Sequence, residues 1–382
     1  MKKKLLALLV STAMVLSLVA CGGTEEAPAT DAPATEDAAT EDAATEDTAE
    51  APAEDLHFEV IVKSFQSTYW QAAVTGINQA CEELGVTANS NGPATESDIA
   101  DQVNMLDAAI EANPNGIGLA ACDTTSVLAS LQTALDKGIP VVCFDTGVPE
   151  APEGSVYATV ATDNLAAGAC AAENMYPIIK DRVAAATADA KVRIGEVNQD
   201  ATAQNIQDRG LGFINKMIEL ITADGKTVAV VGNEFYVNAC TAAGDEATAE
   251  VIIEVGVPSQ TTVAESTIIA SGIMSKADTI AIFGSNQVTA EGLIGANETL
   301  NVLGADKIVA AGFDAGTPQK EAINAGIFVG SVTQSPLMQG YECIKTLYAI
   351  CQGETVADYP MNGYWYDTTN MTDDNIAPNL YD

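Results

Sequence analysis

Two aromatic residues stand side by side at Tyr69-Trp70, within Lys63-Ser64-Phe65-Gln66-Ser67-Thr68-Tyr69-Trp70-Gln71, just after an apolar run. The chain has only two tryptophans and ten tyrosines, so the pairing is not background. Polar side chains recur at comparable places: Asp145-Thr146-Gly147, Asn198-Gln199-Asp200, Gly284-Ser285-Asn286-Gln287, Gly312-Phe313-Asp314 and Thr333-Gln334-Ser335. Singly, Asp and Asn at such points form turns or cap helices, and an aromatic pair at a helix start packs a core. Their recurrence across both halves points to a joint task. Rings can stack on the C–H face of a sugar, and amides and carboxylates pair with hydroxyls that both donate and accept.

Other chemistry is poorly provided for. His57 is the only histidine and stands at the edge of the folded region. A Ser-His-Asp triad, a Cys-His pair or a His-rich zinc site needs a histidine set inside a fold. Gly225-Lys226-Thr227 lacks the earlier glycine of a phosphate-binding loop, and Gly116-Ile117-Gly118 lacks the third glycine of a dinucleotide fingerprint. No calcium loop is evident. We therefore expect a binder and not an enzyme, with no metal or cofactor; a surface enzyme or an adhesin is the rival class.

The elements that must position these residues are legible from periodicity. Apolar or β-branched runs fall at Phe58–Lys63, Gly116–Ala120, Pro140–Asp145, Val156–Ala161, Val192–Val197, Thr227–Val231, Thr279–Phe283, Ile308–Phe313 and Phe328–Thr333. Helical patterns alternate with them at Trp70–Leu84, Asp98–Glu111, Ser126–Lys137, Leu165–Ile179, Glu246–Val255, Thr289–Ala296 and Leu337–Cys351. Such alternation predicts α/β architecture, with parallel sheets covered by helices on both faces. Most of the runs are apolar throughout, as strands buried on both sides should be. Ligands of open α/β sheets bind beyond the carboxyl ends of the strands, where the aromatic and amide residues stand.

Ahead of this region lie Lys2, Lys3 and Lys4, then an apolar stretch from Leu5 to Ala20. It is too short and wrongly flanked for a membrane span, and it reads as an export leader. From Gly22 to Asp55 no Lys, Arg or aromatic residue occurs, and Thr-Glu-Asp-Ala-Ala recurs at Thr35 and Thr40 and imperfectly at Thr45. That composition cannot offset chain entropy. A disordered spacer averaging roughly 30 Å end to end is expected, lengthened by self-repulsion. From Leu56 onward, 41 acidic residues face 13 basic ones. Nucleic acid is disfavoured as a partner, because phosphate contacts need Lys and Arg. Seven cysteines follow Cys21, with no Cys-x-x-Cys spacing. An odd number cannot all pair, and their apolar settings suit buried free thiols.

The ordered segments carry a family resemblance. The chain resembles periplasmic sugar-binding proteins of the ribose/galactose type, the substrate-binding subunits of ABC importers. The matching pieces are Phe65–Trp70, Pro140–Thr146, Thr162-Asp163-Asn164-Leu165-Ala166-Ala167-Gly168, Arg209-Gly210-Leu211-Gly212-Phe213, Ala281–Ala296, Gly312-Phe313-Asp314 and Val332-Thr333-Gln334. The segment Asn233–Thr267 fits least well. Separately, Leu18-Val19-Ala20-Cys21 resembles a bacterial lipobox, which implies cleavage before Cys21 and its acylation.

The resemblance implies two doubly wound parallel-sheet lobes joined by three hinge crossings, with the ligand cleft between them. The crossings would fall at Ala161–Asp163, at Thr333–Pro336 and near Tyr364–Tyr366. The implied divisions are a leader (1–20), an acylated linker (21–55), a first lobe (56–161 plus 335–365) and a second (162–334 plus 366–382). Carried across, Tyr69 and Trp70 are ring-stacking residues and Asp145 binds hydroxyls, while Asn286, Asp314 and Gln334 contact the ligand from the second lobe and hinge. Gln66, Thr146, Gln207 and Tyr236 complete the candidate set. Many ribose-type members carry arginine at the positions of Thr146 and Gln207, and a pocket without those forked donors argues against ribose itself. Arg209 resembles a brace of its helix. The implied partners are a small neutral ligand, an ABC permease, and the membrane through the lipid anchor alone. The protein is expected to be a monomer on the outer face of the cytoplasmic membrane, in a Gram-positive type of envelope. The alternative ligands within this fold are a nucleoside, a cyclic polyol or a signalling furanose.

Overall fold

The computed structural model describes residues 56–240 and 244–381. The leader, the acidic linker and Cys21 lie outside the described residues. The first lobe begins with β1 (His57–Ile61), α1 (Thr68–Leu84), β2 (Thr87–Asn91), α2 (Ile99–Glu111) and β3 (Gly116–Leu119). It continues with α3 (Leu128–Lys137), β4 (Val141–Phe144) and β5 (Val156–Thr162). The second lobe runs through α4 (Asn164–Ala185), β6 (Val192–Val197), α5 (Gln204–Ala223), β7 (Val228–Gly232), α6 (Glu234–Ala239) and β8 (Val251–Gly256). Then come α7 (Val263–Met274), β9 (Thr279–Gly284), α8 (Gln287–Leu300), β10 (Val309–Phe313), α9 (Thr317–Asn324) and β11 (Gly330–Thr333). The chain returns with α10 (Pro336–Cys351), β12 (Tyr359–Met361) and β13 (Tyr364–Tyr366).

Two sheets result, in the orders β12-β5-β4-β3-β1-β2 and β13-β11-β10-β9-β6-β8-β7. Every strand pairing is parallel except that of β11 with β13. β3 and β4 are buried along their whole length, because helices cover both faces. The chain changes lobe three times: after Thr162, between Thr333 and Pro336, and between Met361 and Tyr364. Tyr364–Tyr366 thus form a strand of the second sheet, and the third passage lies just before them, at Asn362-Gly363.

One stretch differs from its sequence pattern. Glu246–Val255, which carries a helical pattern, instead supplies a turn and then β8. Its β-branched residues Val251, Ile252, Ile253 and Val255 are buried between β6 and β7, so strand pairing overrides the local periodicity. Among the described residues the seven cysteines of the domain form no disulfide, and five of them are buried. Among the described residues no helix is long and apolar enough to cross a membrane.

Each lobe contains a helix pair in very close contact, α1 with α10 in the first and α4 with α5 in the second. Glycines permit it. A Cβ on Gly76 would stand 1.8 Å from the Leu337 carbonyl oxygen, and one on Gly340 would stand 2.2 Å from that of Ala73. In the second lobe, Gly168 and Gly212 would meet the Arg209 and Leu165 carbonyl oxygens at 2.0 and 2.2 Å. Two of the family-like segments are therefore packing devices, one glycine from each side. We expect Gly168→Ala or Gly212→Ala to cost about 1–3 kcal/mol through forced helix separation. Thermal unfolding should show this as a fall in Tm of several degrees. Gly272→Ala, where no atom lies within 4 Å, should be neutral or slightly stabilising.

Candidate functional site

The site is built at the carboxyl ends of the strands. Asp145 directly follows β4 and Asp314 directly follows β10, and these two aspartates adopt the same unusual backbone, with φ of 60° and 72°. The left-handed region is disfavoured for residues with a side chain, though Asp and Asn tolerate it best. In both cases the amide donates to the neighbouring strand: Asp145 to the Val160 carbonyl at 2.9 Å, Asp314 to that of Val332 at 2.7 Å. Each lobe thereby turns one buried carboxylate into the cleft.

Around Asp145 the first lobe places Tyr69, Trp70 and Lys63. Ser67 caps α1 by accepting from the Tyr69 amide at 3.1 Å, which fixes the aromatic pair at the start of the helix. The Tyr69 hydroxyl donates to Asp145 Oδ1 at 2.5 Å, and the Trp70 ring meets Tyr69 and Phe144 edge-on. Lys63 is only 1% exposed; its Nζ lies 3.2 Å from Asp145 and donates to Asn205 Oδ1 across the cleft at 3.0 Å. Burial pulls the Lys63 pKa down, but Asp145, Glu96 and Asp200 together outweigh it and hold the ammonium above its ordinary value. Glu96 accepts from Trp70 Nε1 at 2.8 Å and from Gln199 of the second lobe at 2.9 Å. Burial raises its pKa, opposed by Lys63 and these two donors.

The second lobe answers with Arg209, Asn286, Gln287 and Asp314. Asn286 caps α8 through a capping box with Thr289 and donates to Gln199. Arg209 is fixed by Asn164 Oδ1, by the Ser285 carbonyl and by the Phe313 ring, whose centroid lies 3.6 Å from the guanidinium carbon. Asp314 accepts from the Gln287 amide at 2.9 Å and from Gln334 Nε2 at 2.8 Å. Burial raises the Asp314 pKa, and Arg209 works against it.

A single hydrogen-bonded chain joins the two aspartates along the cleft floor. It runs from Asp145 to Tyr69, whose one hydroxyl proton is shared with Gln339 Oε1 (2.9 Å), and from Gln339 Nε2 on to Thr162 (2.9 Å), to Gln334 (2.8 Å) and so to Asp314. Thr162 and Gln334 lie at the first two crossings. In this closed arrangement the central space is about 20 Å³, flanked by grooves of about 390 and 400 Å³. Ligand pockets ordinarily span roughly 300–1,000 Å³, so admitting a ligand to the centre requires the lobes to part.

Tyr69, Trp70, Asp145, Asn286, Asp314 and Gln334 line this centre. Gln66 is exposed and lines the neighbouring groove with Ser64 and Thr68. Thr146 stands behind Asp145 and donates to its Oδ2 at 2.9 Å. Gln207 does not line the centre. α5 starts at Gln204, and i, i+4 spacing turns Asn205 and Arg209 to the cleft while Gln207 donates to the Ala201 carbonyl at 2.7 Å. Nor does Tyr236 line it: its hydroxyl is held inside the second lobe by the Asp200 carbonyl at 2.8 Å and by Asn198. Lys63, Glu96, Asn205 and Gln287 were not among the sequence candidates. A charged residue closing the apolar run Phe58–Lys63 was the available signal for Lys63; Glu96 had none. Among the described residues no cluster of His, Cys, Asp and Glu is arranged to hold a metal.

Fold and site together define a two-lobed binding protein with its cleft at the carboxyl ends of two parallel sheets. The chain belongs to the periplasmic binding protein domain family, whose model matches residues 58–355. A solved structure titled "ABC transporter, LacI family transcriptional regulator" from Brachyspira murdochii is 32% identical. It superposes with a TM-score of 0.70 over 86% of this chain and 99% of its own. An ABC transporter solute binding protein from Agrobacterium vitis with bound D-fucose is 26% identical, with a TM-score of 0.71 over 85% of this chain and 100% of its own. The D-allose-binding periplasmic protein of Escherichia coli is 27% identical over 116 residues, 29% of this chain and 37% of that protein. The chain thus matches little more than a third of this curated relative's length.

Beneath Gly210, close to Tyr236, lies a buried carboxyl. Among the described residues neither oxygen of Glu196 nor Asn198 Oδ1 has a hydrogen-bond partner, and a Cβ on Gly210 would crowd Glu196, Asn198 and Tyr236 at 2.7–2.9 Å. Burial holds the Glu196 pKa well above the ordinary range. Its folded pKa is raised, so the folded state retains a proton that the unfolded state loses above about pH 4.3. Stability should therefore fall as pH rises from there toward the folded pKa, by about 1.4 kcal/mol per pH unit. Glu196→Gln should remove that slope and exceed the parent in stability at pH 7. Denaturant midpoints of the two proteins from pH 4 to pH 8 check it; parallel curves would contradict it.

Proposed function

We propose that this protein captures a small neutral sugar between its lobes and delivers it to an ABC import permease outside the cytoplasm. The observation that carries the reading is the facing pair of left-handed aspartates, Asp145 and Asp314, beside the Tyr69-Trp70 wall. A sugar entering there exchanges its hydroxyls for the hydrogen bonds that the two lobes now make with each other. The charges of the centre disfavour an anionic ligand, because its two cations, Lys63 and Arg209, are outnumbered by Asp145, Glu96 and Asp314 and are already engaged. A phosphorylated ligand would find its cationic partners already engaged. Tyr69, Trp70, Asp145, Asn286, Asp314 and Gln334 are the proposed contacts, joined by Lys63, Glu96, Asn205 and Arg209; Gln66 would meet a ligand only at the groove. Likeness to relatives named for D-allose and D-fucose supports an aldose.

Calorimetry against D-allose, D-fucose, D-arabinose, ribose, nucleosides and cyclic polyols tests the assignment. One aldose should bind with a one-to-one stoichiometry and raise Tm by several degrees at saturation. Asp145→Asn keeps the backbone conformation accessible but converts an acceptor-only carboxylate to an amide. It should weaken binding by at least tenfold and, because buried Lys63 loses its ion-pair partner, also lower the ligand-free Tm. Binding only to nucleosides or polyols would keep the fold and replace the ligand; no binding to any of them would remove the sugar assignment.

The reading extends to place. Lys2–Lys4, the apolar stretch and Cys21 support an acylated receptor on the outer face of a Gram-positive type of membrane, reached through the acidic linker, and we take it to act as a monomer. Diacylation holds stably where one chain does not. Cys21→Ser should abolish labelling by a palmitate analogue and shift the protein from the membrane fraction to the medium; unchanged fractionation would reject the anchor.

A further inference from the structure

The segment that follows β13 returns to the cleft. It turns through Ala377–Asn379, and Asn379 is seated on the second crossing. There its carbonyl accepts from Thr333 Oγ1 at 2.7 Å, and its side chain accepts from the Ser335 hydroxyl. Tyr381 is then held on the second lobe at two points. Lys320 Nζ donates to its carbonyl at 3.1 Å, and the Ala315 amide, next to Asp314, points to its hydroxyl at 3.4 Å. Its ring meets Tyr69 of the first lobe edge-on, with centroids 5.9 Å apart and planes at 76°. Tyr381 is packed against the apolar cores of both lobes.

We propose that Tyr381 is an interlobe clasp, anchored on the second lobe and closing on Tyr69 of the first. It is a positioning residue and not a lining one. It holds the Tyr69 ring and hydroxyl where the aspartate-to-aspartate chain needs them, and it favours the closed arrangement. Parting the lobes slides Tyr69 off the Tyr381 ring, so the contact belongs to the closed state and drops out of the open one. An edge-to-face pair of this kind changes such an equilibrium by about two- to tenfold. The inference rests on lobe closure and not on which ligand is bound.

Hydrogen exchange of the full chain, with no ligand added, tests it. Two amides report closure at sites that do not touch Tyr381: Thr124 donates to the Thr202 carbonyl at 3.3 Å, and Thr261 donates to Ser97 Oγ at 2.7 Å. Both bonds cross between lobes. Tyr381→Ala should speed exchange in peptides carrying Thr124 and Thr261 by about two- to tenfold while β6 and β9 remain protected. Tyr381→Phe keeps the ring and should leave both peptides at parental rates. Faster exchange confined to the surroundings of Tyr69 and Ala315 would reduce Tyr381 to local packing and overturn the proposal. If Tyr381→Ala fails to fold by circular dichroism, Tyr381→Leu against Tyr381→Phe makes the same comparison, and equal rates in those two variants overturn it. A failed sugar panel leaves this result intact, because no sugar enters the experiment.

Discussion

Two buried aspartates and the hydrogen-bonded chain between them organise this molecule. Asp145 and Asp314 each close a central strand in a conformation that costs of order 1–3 kcal/mol for a residue with a side chain. Their repetition at equivalent points of the two sheets says that the fold maintains that conformation twice. The chain through Tyr69, Gln339, Thr162 and Gln334 links the two carboxylates by way of the hinge itself. A change of angle between the lobes must therefore stretch or re-form some of these bonds. Recognition and hinge geometry are mechanically the same network.

The charges of the cleft follow from that arrangement. A lysine with 1% exposure would ordinarily lose its proton, but the carboxylates around Lys63 reverse the effect of burial. Arg209 is pinned on both sides, by Asn164 at the head of α4 and by Phe313 at the end of β10. It braces the helix and faces the cleft at once, because α5 crosses α4 at the glycine contact that puts the guanidinium beside both. Charge in the site is therefore preorganised, and little of it is left to pair with a ligand's own.

Much of this was legible before any coordinates. The fully buried strands announce themselves as apolar runs, and turns after them locate Asp145, Asn286 and Asp314. The polar strand β2, Thr87–Asn91, leaves no such mark, because it is an edge strand with alternately exposed residues. Missing it hides the loop that carries Glu96. Gln207 shows what an unmarked helix start costs: with α5 beginning at Gln204, i, i+4 spacing turns Asn205 and Arg209 to the cleft, and Gln207 away from it. Tyr236 has the right chemistry, but its partners Asn198 and Asp200 hold it inside its own lobe. Lys63 and Glu96 are recognisable only when their mutual proximity is known, and that is a property of the tertiary fold.

The sheet orders also fix the kind of motion available. β12 and β13 lie at corresponding edges of their sheets and are joined by Asn362 and Gly363 alone. Three Cα steps of 3.8 Å limit Met361 and Tyr364 to about 11 Å of separation. That short tether stops the lobes from gliding past one another or lifting apart in parallel. Ser97 and Thr261 follow β2 and β8, near the opposite edges, where they touch in the closed form at 2.8 Å. The molecule is a jaw with its pivot at one sheet edge and its teeth at the other, so a modest rotation at Asn362-Gly363 becomes the widest gape at Ser97 and Thr261.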